Sequence, residues 1–68
     1  MIKKGVISNK SGRFAEVSLP DENYTVTAML PLAKSINEED VHIGDICAIA
    51  FFDSDYVSFA DGVIIAII

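Results

Sequence analysis

Apolar and polar residues alternate one by one over two stretches, residues 13–19 and 24–30. This period of two is typical of a β-strand with one side toward a core and the other toward solvent. The two stretches therefore predict two half-buried strands. Their predicted core positions are Ala15, Val17, Leu19, Tyr24, Val26, Ala28 and Leu30.

A third stretch, residues 46–52, is apolar at every position. Gly44 and Asp45 give a turn signal before it, and Asp53 ends it. Seven residues are too few for an independent helix, so the run predicts a strand that is apolar on both faces. One face has Cys47, Ile49 and Phe51, and the other has Ile46, Ala48, Ala50 and Phe52. Because a surface strand normally shows polar residues on its outer side, we expect something to cover that side.

Strands are also predicted over residues 3–8 and 62–68, with turns at 9–12 and 20–23. The long connection, residues 31–43, has room for one or two helical turns, with Asn37 as a candidate cap. The order is hairpin, hairpin, crossover, hairpin, which predicts an all-β fold, a small five-stranded Greek-key barrel of the OB type. An SH3-like barrel is the alternative. We expect one domain over residues 1–68, with Val17, Val26, Leu30, Ile49 and Phe51 almost fully buried.

Charge is distributed unevenly along the 68 residues. Residues 1–15 contain four cations and no acid, whereas residues 16–68 contain ten acids and only Lys34 as a cation. The net charge of −5 argues against general attraction to a phosphate backbone, and the early lysines are typical of a protected sheet edge. The final apolar run is far shorter than the ~20 residues of a membrane helix, and no signal peptide is visible, so we expect a cytoplasmic product.

Candidate chemistry is sparse. Cys47 lies in the apolar run, where a small buried hydrophobe is the expected role, and His42 is expected in a surface turn. The acids Asp53, Asp55 and Asp61 prompt a comparison with calcium loops, but the turn glycine and the bidentate glutamate of such loops have no counterpart here. We therefore predict no enzyme activity, no metal and no cofactor.

A nucleic-acid-binding OB module is the alternative function. Such modules stack bases on exposed aromatic side chains inside a basic groove. Phe14 on the presumed outer face, with Arg13 beside it, is the best candidate contact. Glu16 close by would repel phosphates, which ranks this alternative second.

Four segments together resemble a known family. Residues 13–21, Arg-Phe-Ala-Glu-Val-Ser-Leu-Pro-Asp, are similar to its second strand and turn, and residues 27–33, Thr-Ala-Met-Leu-Pro-Leu-Ala, to the segment after its third strand. Residues 41–51 contain its Val-Gly-Asp-like turn and strand as Ile-Gly-Asp, and residues 61–65, Asp-Gly-Val-Ile-Ile, resemble its closing strand. The family is the OB-fold domain of bacteriophage baseplate and tail-spike proteins (baseplate assembly protein V-like) and of contractile injection system tips.

The resemblance implies a structural component of a phage-tail-like particle, in the baseplate, hub or tail tip. Such a protein contacts other tail or baseplate proteins, is made in the bacterial cytoplasm and ends in the particle. Trimers or hexamers about the tail axis are then the expected assemblies.

The residues themselves predict a homo-oligomer, because domains of fewer than roughly 70–80 residues often need association for stability. The predicted interface is the outer face of the last hairpin, and its residues are Ile46, Ala48, Ala50, Phe52, Ile64 and Ile68. Because both faces of the last strand are apolar, Val63, Ile65 and Ile67 are the alternative to Ile64 and Ile68.

Overall fold

A computed structural model describes residues 1–52 and 59–68. These residues form an all-β structure of six strands and two short 3-10 turns. The strands are β1 (Ile2–Ser11), β2 (Phe14–Leu19), β3 (Thr25–Val26), β4 (Leu30–Pro31), β5 (Ile46–Phe51) and β6 (Gly62–Ile67). The 3-10 turns are Pro20–Glu22 and Glu38–Asp40. No helix in the described part of the chain is long and apolar enough to cross a membrane.

The strands pair antiparallel in the order β3-β2-β1-β5-β6, with β4 also paired to β2. The strand after the crossover, β5, thus returns to lie beside the first strand, which is the Greek-key order. A parallel bridge between Leu32 and Ile64, with the Ala33 amide donating to the Ile64 carbonyl at 2.8 Å, joins the β4 end to β6 and closes the sheet. The result is a small Greek-key barrel, which favours the OB-type prediction over the SH3-like one.

The third predicted strand, residues 24–30, is divided into β3 and β4. Asn23 and Tyr24 both have positive φ angles, 61° and 59°, so the extended chain begins only at Thr25. Thr27 then turns inward: its hydroxyl accepts the Val17 amide at 3.1 Å and donates to the Ala28 carbonyl at 2.7 Å. A side chain that bonds within the ladder interrupts the regular strand at this point.

This interruption reverses the predicted facing of residues 24–28, whereas Leu30 is buried as predicted. Val26 is 47% exposed and Tyr24 and Ala28 are also exposed, whereas Thr27 is buried, so the prediction of Val26 in the core was wrong. Elsewhere the predicted facing is confirmed: Val17, Leu30, Ile49 and Phe51 are buried. The rest of the core consists of Ile7, Ala15, Leu19, Leu32, Val41, Cys47, Phe59 and Ile64.

The turn before β5 has the predicted chemistry. Gly44 has a φ of 98°, which favours glycine, and its amide donates to the Ile7 carbonyl at 2.8 Å. The Asp45 carboxylate accepts the His42 amide at 2.9 Å, and its carbonyl accepts the Ile7 amide. The turn is therefore fixed both internally and against β1.

The crossover is attached to the barrel by two cations. The Arg13 guanidinium donates to the carbonyls of Ile36 at 2.6 Å and Ala33 at 2.8 Å. The Lys10 ammonium donates to the carbonyls of Val41 at 2.6 Å and Glu38 at 3.0 Å. These contacts satisfy backbone acceptors that a strandless connection would otherwise leave to solvent. Asn37 caps the 3-10 turn as predicted, by accepting the Glu39 amide.

We expect Phe51→Ala to lower the free energy of unfolding by ~3–5 kcal/mol, because it removes a buried ring and leaves a cavity. Phe51 is 6% exposed and meets the Phe59 ring edge-on at 5.4 Å between centroids. Chemical denaturation of the parent and the variant measures the change. Ile43→Ala, at an exposed site, is the control and should change stability by less than about 0.5 kcal/mol. A Phe51 variant as stable as that control would contradict the assigned strand facing.

Candidate self-association surface

The outward side chains of β1, β5 and β6 form one apolar surface. Directly opposite residues in antiparallel strands share a face, so the ladder positions identify this surface. The pairs Ile2↔Ala50 and Val6↔Ile46 join β1 to β5, and Ala50↔Val63 and Ala48↔Ala66 join β5 to β6. We call the surface the apolar wall. It consists of Ile2, Val6, Ile46, Ala48, Ala50, Val63 and Ala66.

Three of the predicted interface residues, Ile46, Ala48 and Ala50, lie on the wall. Two more, Phe52 and Ile68, follow the ends of β5 and β6 and are 70% and 78% exposed. The Ile68 amide donates to the Ile46 carbonyl at 2.8 Å, which holds this residue beside the wall.

The sixth predicted interface residue, Ile64, is fully buried in the barrel core and cannot line an outer surface. A register shift between Ala48 and Ile49 explains the difference, because it places Ile64 opposite Ile49 and Ala66 opposite Ala48. The intervening Ile65 is an additional residue of a β-bulge and is exposed. The outward residues of β6 are therefore Val63 and Ala66.

The centre of the wall is made of small side chains. Ala48 and Ala66 are direct neighbours, and Ala50 lies next along β5. Alanines leave the backbone close to the surface, so another sheet or chain can approach closely. Sequence reasoning missed Ile2 and Val6, although their alternation around Lys4 was a visible signal.

One charged residue, Lys4, stands on this wall, directly opposite Ala48. Its ammonium makes no hydrogen bond or ion pair within residues 1–52 and 59–68. The neighbouring residue Lys3 points to the other side of the sheet, and its ammonium pairs with the Glu22 carboxylate at 2.6 Å. The wall thus has a single unpaired positive charge among apolar residues.

The two residues of the predicted nucleic-acid contact, Arg13 and Phe14, do not lie together in the structure. Arg13 does not stand on the outer face with Phe14, because its guanidinium lies at the barrel end and is engaged by the crossover carbonyls. Lys10 is engaged in the same way. Phe14 is 48% exposed, but the half-buried carboxylate of Glu16 lies two residues along the same face. The basic groove that base stacking requires is not formed around Phe14.

The two side chains considered for catalysis, His42 and Cys47, lie in an exposed turn and in the buried core respectively. His42 is exposed, with its Nδ1 3.6 Å from a carboxylate oxygen of Asp45 in the same turn. Cys47 is a free, buried thiol, and its burial raises the pKa to about 11. Within the described residues no cluster of His, Cys, Asp and Glu has metal-site geometry. Of the three acids compared with a calcium loop, Asp61 is exposed, while Asp53 and Asp55 lie outside the described residues.

We expect a fluorescent single-stranded oligonucleotide to show no tight binding at low salt, because Lys10 and Arg13 are held by backbone carbonyls. Fluorescence anisotropy of the parent and of Phe14→Ala measures this. Salt-sensitive binding that is lost in Phe14→Ala would contradict the expectation and favour the nucleic-acid alternative.

We expect thiol reagents to leave Cys47 unlabelled in the native protein and to label it only after unfolding, because the reactive thiolate is disfavoured inside the barrel. The stabilisation associated with this thiol is complete below its ordinary pKa of 9.0 and is lost as the pH rises through about 11. The reason is that the unfolded chain releases the proton first. Denaturation curves at pH 8 to 10 for the parent and for Cys47→Ala should therefore show a steeper loss of stability in the parent. Rapid native labelling would place the thiol outside the core.

Comparison of the chain with protein-family models, with curated proteins and with solved structures finds no significant match. The family resemblance accordingly rests on the four short segments alone. The apolar wall is the feature of the described structure that most needs a functional explanation.

Proposed function

We propose that this protein is a non-enzymatic structural module that acts through homo-oligomerisation, with the apolar wall as its contact surface. The observation that supports this proposal is the wall itself: seven neighbouring apolar positions across three strands, with alanines at the centre and one charge. Contiguous apolar patches on a protein surface mark interaction sites more often than scattered apolar residues do.

Size favours the same conclusion. A chain of 68 residues has a small core, and each Å² of apolar surface removed from water contributes about 25 cal/mol. Covering the wall and the flanking Phe52 and Ile68 would add to that small core. Domains of this size that lack disulfides or metals often gain stability by association.

The family resemblance supports a more specific proposal for the assembly. We propose that it forms part of a phage-tail-like particle, as a baseplate, hub or tail-tip component, with other tail or baseplate proteins as partners. Synthesis in the bacterial cytoplasm and later incorporation into the particle follow from that role. A ring of three or six copies about the tail axis is the corresponding symmetry.

We expect the parent to be oligomeric at micromolar concentration in size-exclusion chromatography with light scattering. Ala48→Lys and Ala50→Asp should dissociate it, because each would bury an unpaired charge at the contact. The matched controls are Ser35→Lys and Ser35→Asp, which introduce the same charges at an exposed crossover position. Circular dichroism checks that each variant remains folded.

A monomeric parent would overturn the proposal, as would an oligomer that neither wall variant affects. The tail-particle assignment has its own test in the neighbouring genes. Genes for tail-tube and baseplate proteins beside this one would support it, and their absence would contradict it.

A further inference from the structure

The first strand, β1, has an open edge at its N-terminal end. The Met1 amino group donates to the Phe51 carbonyl at 2.9 Å, and the Phe51 amide donates back to the Met1 carbonyl at 2.7 Å. Successive residues of an antiparallel strand direct their N–H and C=O groups alternately to one neighbour and to the other. Since Met1 points toward β5, the backbone groups of Ile2 and Lys4 point away from it.

No strand pairs with these two residues on the side away from β5. The β1–β2 ladder begins only at Val6↔Ser18. Beyond that pair, Pro20 has no N–H to donate, and the 3-10 turn carries the chain away from β1. Within residues 1–52 and 59–68, the backbone of Ile2 and Lys4 has no hydrogen-bond partner on this side. Two amides and two carbonyls therefore form a strand edge with which another extended chain can pair.

This edge is accessible from solvent. Ile2 is 61% exposed, and Lys4 is also exposed. A depression of about 90 Å³ lies between β1 and the 3-10 turn, and the residues that line it are Lys4, Gly5, Val6, Pro20 and Asp21. The backbone of β1 thus borders open space where the ladder to β2 would otherwise continue.

The charge beside the edge determines which strand fits it. The Lys3 ammonium pairs with Glu22, and the Lys10 ammonium donates to crossover carbonyls. Lys4, in contrast, has no ion pair in the part of the chain that the structure describes, and Asp21 borders the same depression without pairing with it. An acidic side chain opposite Lys4 on an added strand would form a favourable cross-strand pair.

We propose that this edge binds an extended segment of another protein as an added β-strand, with an acidic residue opposite Lys4 and an apolar residue opposite Ile2. In such strand addition, main-chain hydrogen bonds give affinity and alternate side chains give specificity. A second copy of β1 is disfavoured, because antiparallel pairing through both open residues sets Lys3 directly opposite the same lysine of its mate. The site goes beyond the proposed self-association, which uses outward side chains rather than the strand edge.

Amide hydrogen exchange of the free protein, followed by NMR, tests whether the edge is open. The Lys3 and Gly5 amides face β5 and should exchange at least about tenfold more slowly than the Lys4 amide. A Lys4 amide that is as protected as its two neighbours would overturn the proposal.

Binding is tested with the end-blocked peptide Thr-Val-Thr-Glu-Thr-Val-Thr. Its glutamate can lie opposite Lys4 while the valine two positions later lies opposite Ile2. At millimolar peptide, exchange of the Lys4 amide should slow by about tenfold or more, because that amide becomes hydrogen-bonded. The same peptide with lysine in place of glutamate should leave the exchange unchanged.

Two further measurements separate the charge from the backbone contacts. Lys4→Glu should reverse the preference, so that the lysine peptide binds and the glutamate peptide does not. Lys34→Glu, at an exposed crossover position, makes the same change of net charge and should keep the parent preference. In the peptide, N-methylation of the glutamate nitrogen, which faces β1, should abolish binding by the parent, whereas N-methylation of the next threonine should not.

The outcomes distinguish this proposal from self-association, because exchange of the Lys4 amide reports on the edge in a monomer or an oligomer. Unchanged exchange with the glutamate peptide would overturn the strand-addition site, as would equal binding of both peptides. Binding that survives methylation of the glutamate nitrogen would also overturn it.

Discussion

The ladder between β1 and β5 is the constraint on which the rest of this structure depends. It joins Ile2 to Ala50 and Val6 to Ile46, pairs that are far apart in the sequence. Bringing such distant segments together costs loop-closure entropy, and here it also fixes the path of the crossover. Arg13 and Lys10 then hold that crossover by its carbonyls, so the cations near the first hairpin stabilise the return of the chain to β1.

The same ladder produces the outer surfaces. Once β5 lies between β1 and β6, the alternating side chains that do not enter the core are gathered into the apolar wall. The core is complete without them, because Ile49, Cys47 and Ile64 are fully buried inside the barrel. An apolar outer side on a central strand is typical of sheets that are covered, and the proposed neighbouring copy supplies that cover. The fold and the surface proposed for self-association both follow from this one strand pairing.

Most of the architecture was predictable from local signals. The strands β1, β2, β5 and β6 and the turns between them follow from alternation, glycine and proline, and Asn37 caps its turn as its position indicates. The strand over residues 24–30 was predicted as continuous because the alternation there is good. Two consecutive residues with positive φ and the bond from the Thr27 hydroxyl to a ladder amide override that alternation.

What the sequence determined by itself was the all-β class, the strand order along the chain and most of the core, because these depend on periodicity and turn chemistry within a few residues. Only the tertiary structure decided which face of β6 is buried, since a strand that is apolar on both faces has no informative period. The bulge at Ile65 then placed Ile64 inside and Ala66 outside. The role of Arg13 was likewise decided in three dimensions, because the carbonyls it binds lie about twenty residues away in the chain.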